Sequence, residues 1–291
     1  YYLDNQQIEK ALTSYKHAGD FERMETILSE KGMELITRNK TLTILSLLQS
    51  IDNEILFQHR WLVLYSGLMR VDYVPQTTLP FWDEARRQFQ QTGEEEGELI
   101  ALSQTIYFHF VISGNYREGS ELLNRTRMLF ENNKDSLPTP IYIMAARNLA
   151  SGYCFFDGDM NTARYYIELA STLANRHELR KFVASTKFIQ GYIELLSGNR
   201  AKYLREAEFC FSLFNDDLVG ESNRLTMRVI NLCYLSMSGD HKNFQSQQLA
   251  LQQAVAKTVV EQTVAAPYLY VWGSSAYYSI GQPQQALALL E

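Results

Sequence analysis

The 291-residue chain has little of what catalytic and metal sites are usually built from. Its three cysteines, Cys154, Cys210 and Cys233, form no CxxC pair, and an odd count without paired spacing indicates buried thiols in a reducing compartment. None of its five histidines has an HxxxH or HExxH neighbour, and no GxxxxGK(S/T) phosphate loop is present. The sequence therefore predicts no metal site, no bound cofactor and no enzymatic activity.

Long apolar runs and an excess of basic charge are also missing. No run reaches the roughly 18 apolar residues that a membrane span needs, and no signal peptide is visible. The net charge is −6 and the pI is about 5.5, which argues against direct contact with nucleic acid. We therefore expect a cytoplasmic chain. Because it starts at Tyr1 without a methionine and stops at Glu291 inside an apolar helical pattern, we also expect a larger parent protein.

What the sequence does have is a short turn that recurs at a nearly fixed spacing. Five glycines are separated by 44, 40, 41 and 42 residues, and a sixth lies near the start of the chain. They are Gly114, Gly158, Gly198, Gly239 and Gly281, with Gly19 as the sixth. A period in this range predicts stacked repeats. Glycine supplies the left-handed backbone that ends a helix, and the Asp or Asn that follows all but the last can cap the next one.

Each repeat is therefore predicted to consist of a helix, a tight turn and a second helix. The first helices are apolar around much of their circumference, which is typical of helices packed between neighbours. These first helices are the segments 99–112, 141–156, 182–196, 225–237 and 268–280. The 95 residues between Gly19 and Gly114 predict one further, degenerate turn near Met69 to Tyr73. We expect an all-α solenoid of six to seven helical hairpins that spans residues 1–291 as one domain.

The N-terminal quarter carries the most specific pattern in the chain. Its elements are Ala11-Leu12, His17-Ala18-Gly19-Asp20-Phe21, Ile27-Leu28, Gly32, Leu35-Ile36, Leu45 to Leu48, Ile51 and Arg60-Trp61-Leu62-Val63-Leu64-Tyr65. The repeats resemble tetratricopeptide repeats with a longer unit. Together with residues 8–70, that unit length resembles the MalT family of bacterial transcriptional regulators, which are signal-transduction ATPases with a LuxR-type DNA-binding end.

This resemblance implies a right-handed superhelix in which residues 1–73 follow the ATPase module and residues 74–291 form the tetratricopeptide-like repeats. It implies a non-catalytic sensor region that binds a small-molecule inducer or a protein partner. The ATP site and the DNA-binding end would lie outside residues 1–291, and the full-length protein could be an oligomer. The repeat alone, without the family, is also compatible with a scaffold that binds peptide segments.

Three basic residues share one position in the repeat. Arg147, Lys187 and Arg228 each lie 11 residues before a turn glycine. Equal register places them at equal positions on successive first helices, which line the concave groove of tetratricopeptide arrays. One hypothesis is that they hold an anionic ligand. The alternative is a solvated helix face or local ion pairs.

Neighbouring residues extend this candidate site. Tyr107 and Tyr192 lie near the ends of first helices, where an aromatic ring with a polar tip can stack on a sugar or clamp a peptide. Packing between repeats is the alternative for both. Asn148, next to Arg147, could hydrogen-bond a peptide backbone, although the other repeats carry different residues at this register.

Overall fold

A computed structural model describes residues 7–38, 40–213, 216, 219, 221–256 and 265–290. The regular elements in these residues are all helical, and the chain divides into two compact units, Tyr1–Asp159 and Met160–Glu291. None of the described helices is both long and apolar enough to cross a membrane. The all-α class that the sequence predicts is confirmed for this part of the chain.

The first unit consists of helices joined by short connections. They are α1 (Ile8–Ala18), α2 (Phe21–Thr37), α3 (Thr41–Gln49), α4 (Asn53–Leu56), α5 (Arg60–Arg70), α6 (Leu79–Thr92), α7 (Glu95–Phe108), α8 (Tyr116–Asn133) and α9 (Thr139–Gly152). A 3-10 turn, Pro75–Thr77, precedes α6. Helices α7 and α9 each continue into a π-helical turn, His109–Ser113 and Tyr153–Asp157.

The second unit has the same kind of construction. Its described helices are α10 (Met160–Arg176), α11 (Arg180–Leu196), α12 (Arg200–Phe211), α13 (Glu221–Ser238), α14 (His241–Ala256), α15 (Ala265–Ser279) and α16 (Pro283–Leu290). From α5 to α9 and from α10 to α14, each helix packs against the next one in the chain, and several alternate helices are also in contact: α5 with α7 and α7 with α9, then α11 with α13 and α13 with α15. This pairing is consistent with an all-α helical repeat.

The predicted glycine turns are confirmed. All six glycines have a positive φ, between 64° and 80°, which side chains with a Cβ rarely adopt. Asp20 and Asn199 then cap the helices that follow, because their side chains accept hydrogen bonds from the backbone N–H groups of Arg23 and Lys202. The turns therefore combine a left-handed helix end with a side-chain cap.

One turn of this type was not predicted. Gly93, with a φ of 72°, ends α6, and α7 begins at Glu95. Gly93 is outside the 40–44-residue spacing and is followed by Glu rather than Asp or Asn. The degenerate turn expected near Met69 to Tyr73 coincides with the end of α5 at Arg70, after which residues 71–78 lead into α6.

Aromatic side chains fill the spaces that helical glycines leave in the first unit. Phe89 of α6 is fully buried and meets Trp61 of α5 edge to face, with ring centroids 5.0 Å apart. A Cβ on Gly97 of α7 would overlap the Phe89 ring. Gly97 is therefore a packing residue, since a larger side chain there would push α7 away from α6.

A buried carboxylate links three helices of the same unit. Glu98 of α7 is 2% exposed, and Arg125 of α8 donates to both of its oxygens at 3.0 and 2.7 Å. Gln90 of α6 donates a third hydrogen bond at 2.9 Å. Burial of the carboxyl opposes its ionisation, but the hydrogen bonds from Arg125 and Gln90 outweigh this effect and hold the pKa of Glu98 below its ordinary value.

Replacing Gly97 by alanine is expected to lower the free energy of unfolding by about 1–3 kcal/mol, because the added methyl group overlaps Phe89. The matched control is Gly191→Ala in α11, where the nearest atom to the new Cβ is 3.8 Å away. That change is expected to stabilise by up to about 1 kcal/mol through helix propensity. Urea unfolding followed by circular dichroism measures both, and equal effects of the two variants would contradict this packing role.

Glu98 makes the stability depend on pH in the acid range. Because the pKa of its carboxyl is lower in the folded than in the unfolded chain, its contribution is present above the ordinary value of 4.5 and is lost as the pH falls below it. We expect Glu98→Gln to cost about 1–2 kcal/mol at pH 7 and progressively less towards pH 3. Urea unfolding at pH 7, 5, 4 and 3 measures the difference, and a difference that stays constant with pH would contradict this assignment.

Candidate functional site

Helices α7 and α9 bring three of the predicted site residues together. The Nε and Nη2 groups of Arg147 donate to Asn148 Oδ1 at 3.1 and 2.9 Å. The guanidinium carbon lies 5.6 Å from the centroid of the Tyr107 ring, within cation–π distance. We call Arg147, Asn148 and Tyr107 the Arg147 cluster.

Asn148 fixes the position of the arginine. Its side chain is fully buried, and Nδ2 donates a 2.9 Å hydrogen bond to the backbone carbonyl of Ser103 on α7. One side of the amide therefore connects α9 to α7, while its oxygen accepts both hydrogen bonds of Arg147. The sequence suggested that Asn148 could hydrogen-bond the backbone of a peptide ligand. In the structure, its amide bonds instead to the backbone of its own chain, at Ser103.

The π-helical turns that end α7 and α9 hold the two helices in register near the cluster. Phe110 and Phe155, one from each turn, stack with ring centroids 4.1 Å apart and planes 23° from parallel. A π turn widens the helix by one residue and is frequent at functional sites. Here the turn of α9 begins five residues after Asn148 and the turn of α7 begins two residues after Tyr107, and Gly158 and Gly114 follow them.

The charge of Arg147 meets a neutral acceptor rather than a carboxylate. The side chain is half-buried, and within the described residues no carboxylate lies within ion-pair distance of it. Burial lowers the pKa of Arg147, while the neighbouring Tyr107 and Asp72 oppose that shift. A guanidinium is nonetheless charged at neutral pH, so the cluster carries a positive charge that its surroundings only partly satisfy.

Tyr107 contributes a hydroxyl group in the same environment. Burial raises the pKa of Tyr107 well above its ordinary value, Arg147 opposes the shift, and Asp72 adds to it. The hydroxyl is therefore protonated at neutral pH and can donate a hydrogen bond. In the part of the chain that the structure describes, no hydrogen bond to this hydroxyl is found.

The second unit contains the other three predicted residues. Lys187 Nζ pairs with Glu206 Oε2 at 2.8 Å, donates to Gln190 Oε1 at 3.1 Å and lies 5.2 Å from the Phe209 ring centroid. Its charge is thus met by a carboxylate of α12, which is the local ion pair that the sequence left open as an alternative.

Arg228 and Tyr192 have different surroundings. Arg228 on α13 is half-buried, and none of the ion pairs found in the described ranges involves it. Tyr192 on α11 is 7% exposed and meets Phe188 edge to face, with centroids 4.7 Å apart. This contact lies within α11, one helical turn apart, so it is not the packing between repeats that was the alternative for the tyrosine.

Two contributors to the Arg147 cluster were missed. Asp72 lies in the loop after α5 and is close enough to influence the pKa values of both Arg147 and Tyr107. The carbonyl of Ser103, at the register of Arg147 in the preceding repeat, accepts the Asn148 hydrogen bond. Asp72 falls inside the turn predicted near Met69 to Tyr73. Its proximity to α9 depends on tertiary packing, which a local sequence pattern does not predict.

Comparisons with known proteins do not identify the chain. No protein-family model matches it, and no curated protein is significantly similar to it. Among the described residues, no group of three or more His, Cys, Asp or Glu side chains could hold a metal ion. The likeness to MalT-type regulators stays a prediction from the sequence.

Asn148→Ala is expected to lower the free energy of unfolding by about 2–3 kcal/mol, because it leaves the Ser103 carbonyl and the Arg147 guanidinium without their partner. The control is Asn133→Ala at the end of α8, where the amide bonds to Leu129 of the same helix and to an exposed Glu95. This change is expected to cost less than about 1 kcal/mol. Urea unfolding measures both, and equal losses would show that Asn148 does not organise the cluster.

Proposed function

We propose that this chain is a non-catalytic binding region, the effector-sensing part of a MalT-like, ATP-dependent transcriptional regulator. In this proposal the paired helices form a right-handed superhelix of six to seven hairpins, and the first helices present the ligand site. The observed pairing of neighbouring helices and the contacts among α5, α7 and α9 support such an arrangement.

The observation that carries the proposal is the partly satisfied charge of Arg147. Two other arginines that contact buried groups are paired with carboxylates, Arg125 with Glu98 and Arg164 with Glu194 at 3.0 Å, whereas Arg70 donates to the Ser66 carbonyl and lies 4.2 Å from the Phe81 ring centroid. Arg147 instead bonds to the neutral amide of Asn148. Asp72 favours the charged form of Arg147, but among the described residues no carboxylate lies within ion-pair distance of it, so an anionic group from outside the protein would supply the direct pair that this half-buried charge lacks.

Binding would act by shifting a population of conformations. In a repeat array each unit contacts only its neighbours, so the curvature can change with small local movements. A ligand held between first helices favours the curvature in which those helices have the right spacing, to the extent that its affinity for the two forms differs. The regulator would sense its effector, a small-molecule inducer or a protein partner, in this way.

The alternative is a scaffold that binds peptide segments. It would require side chains that are free to bond an extended backbone along several repeats. Asn148, the residue suggested for that role, bonds to Ser103 and Arg147, and Lys187 pairs with Glu206. These contacts favour a local site for a small effector over a peptide groove.

Determining the native open reading frame on both sides of residues 1–291 tests the regulator assignment. We expect a GxxxxGK(S/T) phosphate loop upstream and a basic helix-turn-helix segment downstream, since an ATP-driven switch and a DNA-reading end both need these parts. An open reading frame with neither would contradict the proposal and leave the scaffold as the better description.

A further inference from the structure

The helix pairs of each unit stack through a recurring contact. The first helix of one pair lies across both helices of the pair before it: α9 contacts α7 and α8, and α13 contacts α11 and α12. The packing is close, since a Cβ on Gly152 of α9 would overlap the Leu123 side chain of α8. The Tyr203 hydroxyl of α12 donates to the Ile230 carbonyl of α13 at 3.4 Å. We call this contact the stacking interface.

Two positions of the repeat are buried in successive pairs. One lies on the first helix, ten residues before the turn glycine, and its occupants are 8% exposed or less: Gln104, Asn148 and Phe188. The other lies on the second helix, nine residues after the turn glycine, and its occupants are 2% exposed or less: Leu123, Ile167, Ala207 and Gln248. Both positions are therefore indicators of whether a helix pair is covered by the next one.

The pair α15–α16 exposes both of these positions. Val271, ten residues before Gly281, is 57% exposed, and Leu290, nine residues after it, is 59% exposed. Tyr278 follows Val271 by two helical turns and Leu287 precedes Leu290 by one, so each lies on the same helix face as its neighbour, and both are exposed. We call Val271, Tyr278, Leu287 and Leu290 the α15–α16 face. It continues the stacking interface at the place where a further first helix would lie.

The composition of this pair is that of the centre of a protein interface. Residues 265–290 contain no Asp, Glu, Lys, Arg or His, although charged residues make up 21% of the chain. Interface centres are depleted in charge and enriched in aromatic side chains such as tyrosine. An exposed surface that gathers four large apolar side chains on two adjacent helices marks an interaction site rather than the ordinary scatter of apolar residues.

We propose that the α15–α16 face joins two copies of this chain in a two-fold symmetric dimer. In this dimer, α15 of one copy lies on the α15–α16 face of the other, in the place that α9 takes on α7 and α8. The helix required there is a first helix whose outer side is apolar and uncharged, and α15 is itself such a helix. Two-fold symmetry covers both faces at once, because the same patch is used on each copy. The inference goes beyond the proposed function and applies to a sensor and to a scaffold alike.

Sedimentation velocity of the whole chain, from low micromolar to several hundred micromolar concentration, tests the inference. We expect a concentration-dependent shift from 33.6 kDa towards twice that mass. The expected Kd is micromolar, since a face of two short helices is at the small end of specific interfaces. A monomer at every concentration would overturn the inference and leave a helix from another polypeptide segment as the occupant of the face.

Two single variants assign the association to this face. Val271→Glu and Leu290→Glu are each expected to raise the Kd by at least about tenfold, because a carboxylate would be buried without a partner in the dimer. Leu42→Glu in α3 is the matched control, at a leucine that is 56% exposed outside the face, and is expected to associate like the unaltered chain. Unchanged association of both variants in the face would overturn the inference.

A pair of double variants tests the two-fold arrangement without relying on loss of association. One carries Val271→Glu with Tyr278→Glu, and the other carries Val271→Lys with Tyr278→Lys. Each alone is expected to stay monomeric through repulsion of like charges, whereas an equimolar mixture is expected to form mixed dimers, whichever way the two α15 helices run. Misfolded variants could not regain association on mixing. A mixture that stays monomeric would overturn the pairing of α15 with α15.

Discussion

The left-handed glycine at the end of each first helix is the constraint on which the helix pairs depend. It reverses the chain within two or three residues, and α7 with α8, α11 with α12 and α13 with α14 then pack side by side within their units. In the first unit, α7 and α9 each end in a π turn, and an aromatic ring of one turn stacks on an aromatic ring of the other. The register of these two helices then places Asn148 opposite the Ser103 carbonyl, and Arg147 is held beside Tyr107 as a result.

The chain satisfies its half-buried charges in two ways. Glu98 and Lys187 have partners of opposite sign on an adjacent helix, and both pairs connect helices of one unit. Arg147 has a neutral partner held in place by the backbone, which orients the guanidinium without neutralising it. A structural pair needs no ligand, whereas an oriented charge without a counter-ion is suited to receive one. This difference separates the candidate site from Glu98 and Lys187.

Much of the helical framework can be predicted from the sequence, because a turn glycine with a following Asp or Asn is a local signal. Gly93 lacks that signal, since Glu94 follows it and its spacing does not match the period. The contact between Lys187 and Glu206 crosses a hairpin, and its side-chain geometry is not encoded in the repeat spacing. Asp72 approaches Arg147 only because α5, α7 and α9 pack together. Local patterns thus predict the positions of side chains along a helix, but not which helix supplies their partner.

The most direct test of the central claim is the NMR signal of the Arg147 Nε–Hε group, assigned with the Arg147→Gln variant, during titration with acetate as a simple anionic probe. Arg125, whose Nε already bonds to Glu98, provides the reference in the same spectrum. The account predicts a saturable shift of the Arg147 signal while the Arg125 signal stays in place. An Arg147 signal that does not move at saturation would contradict it.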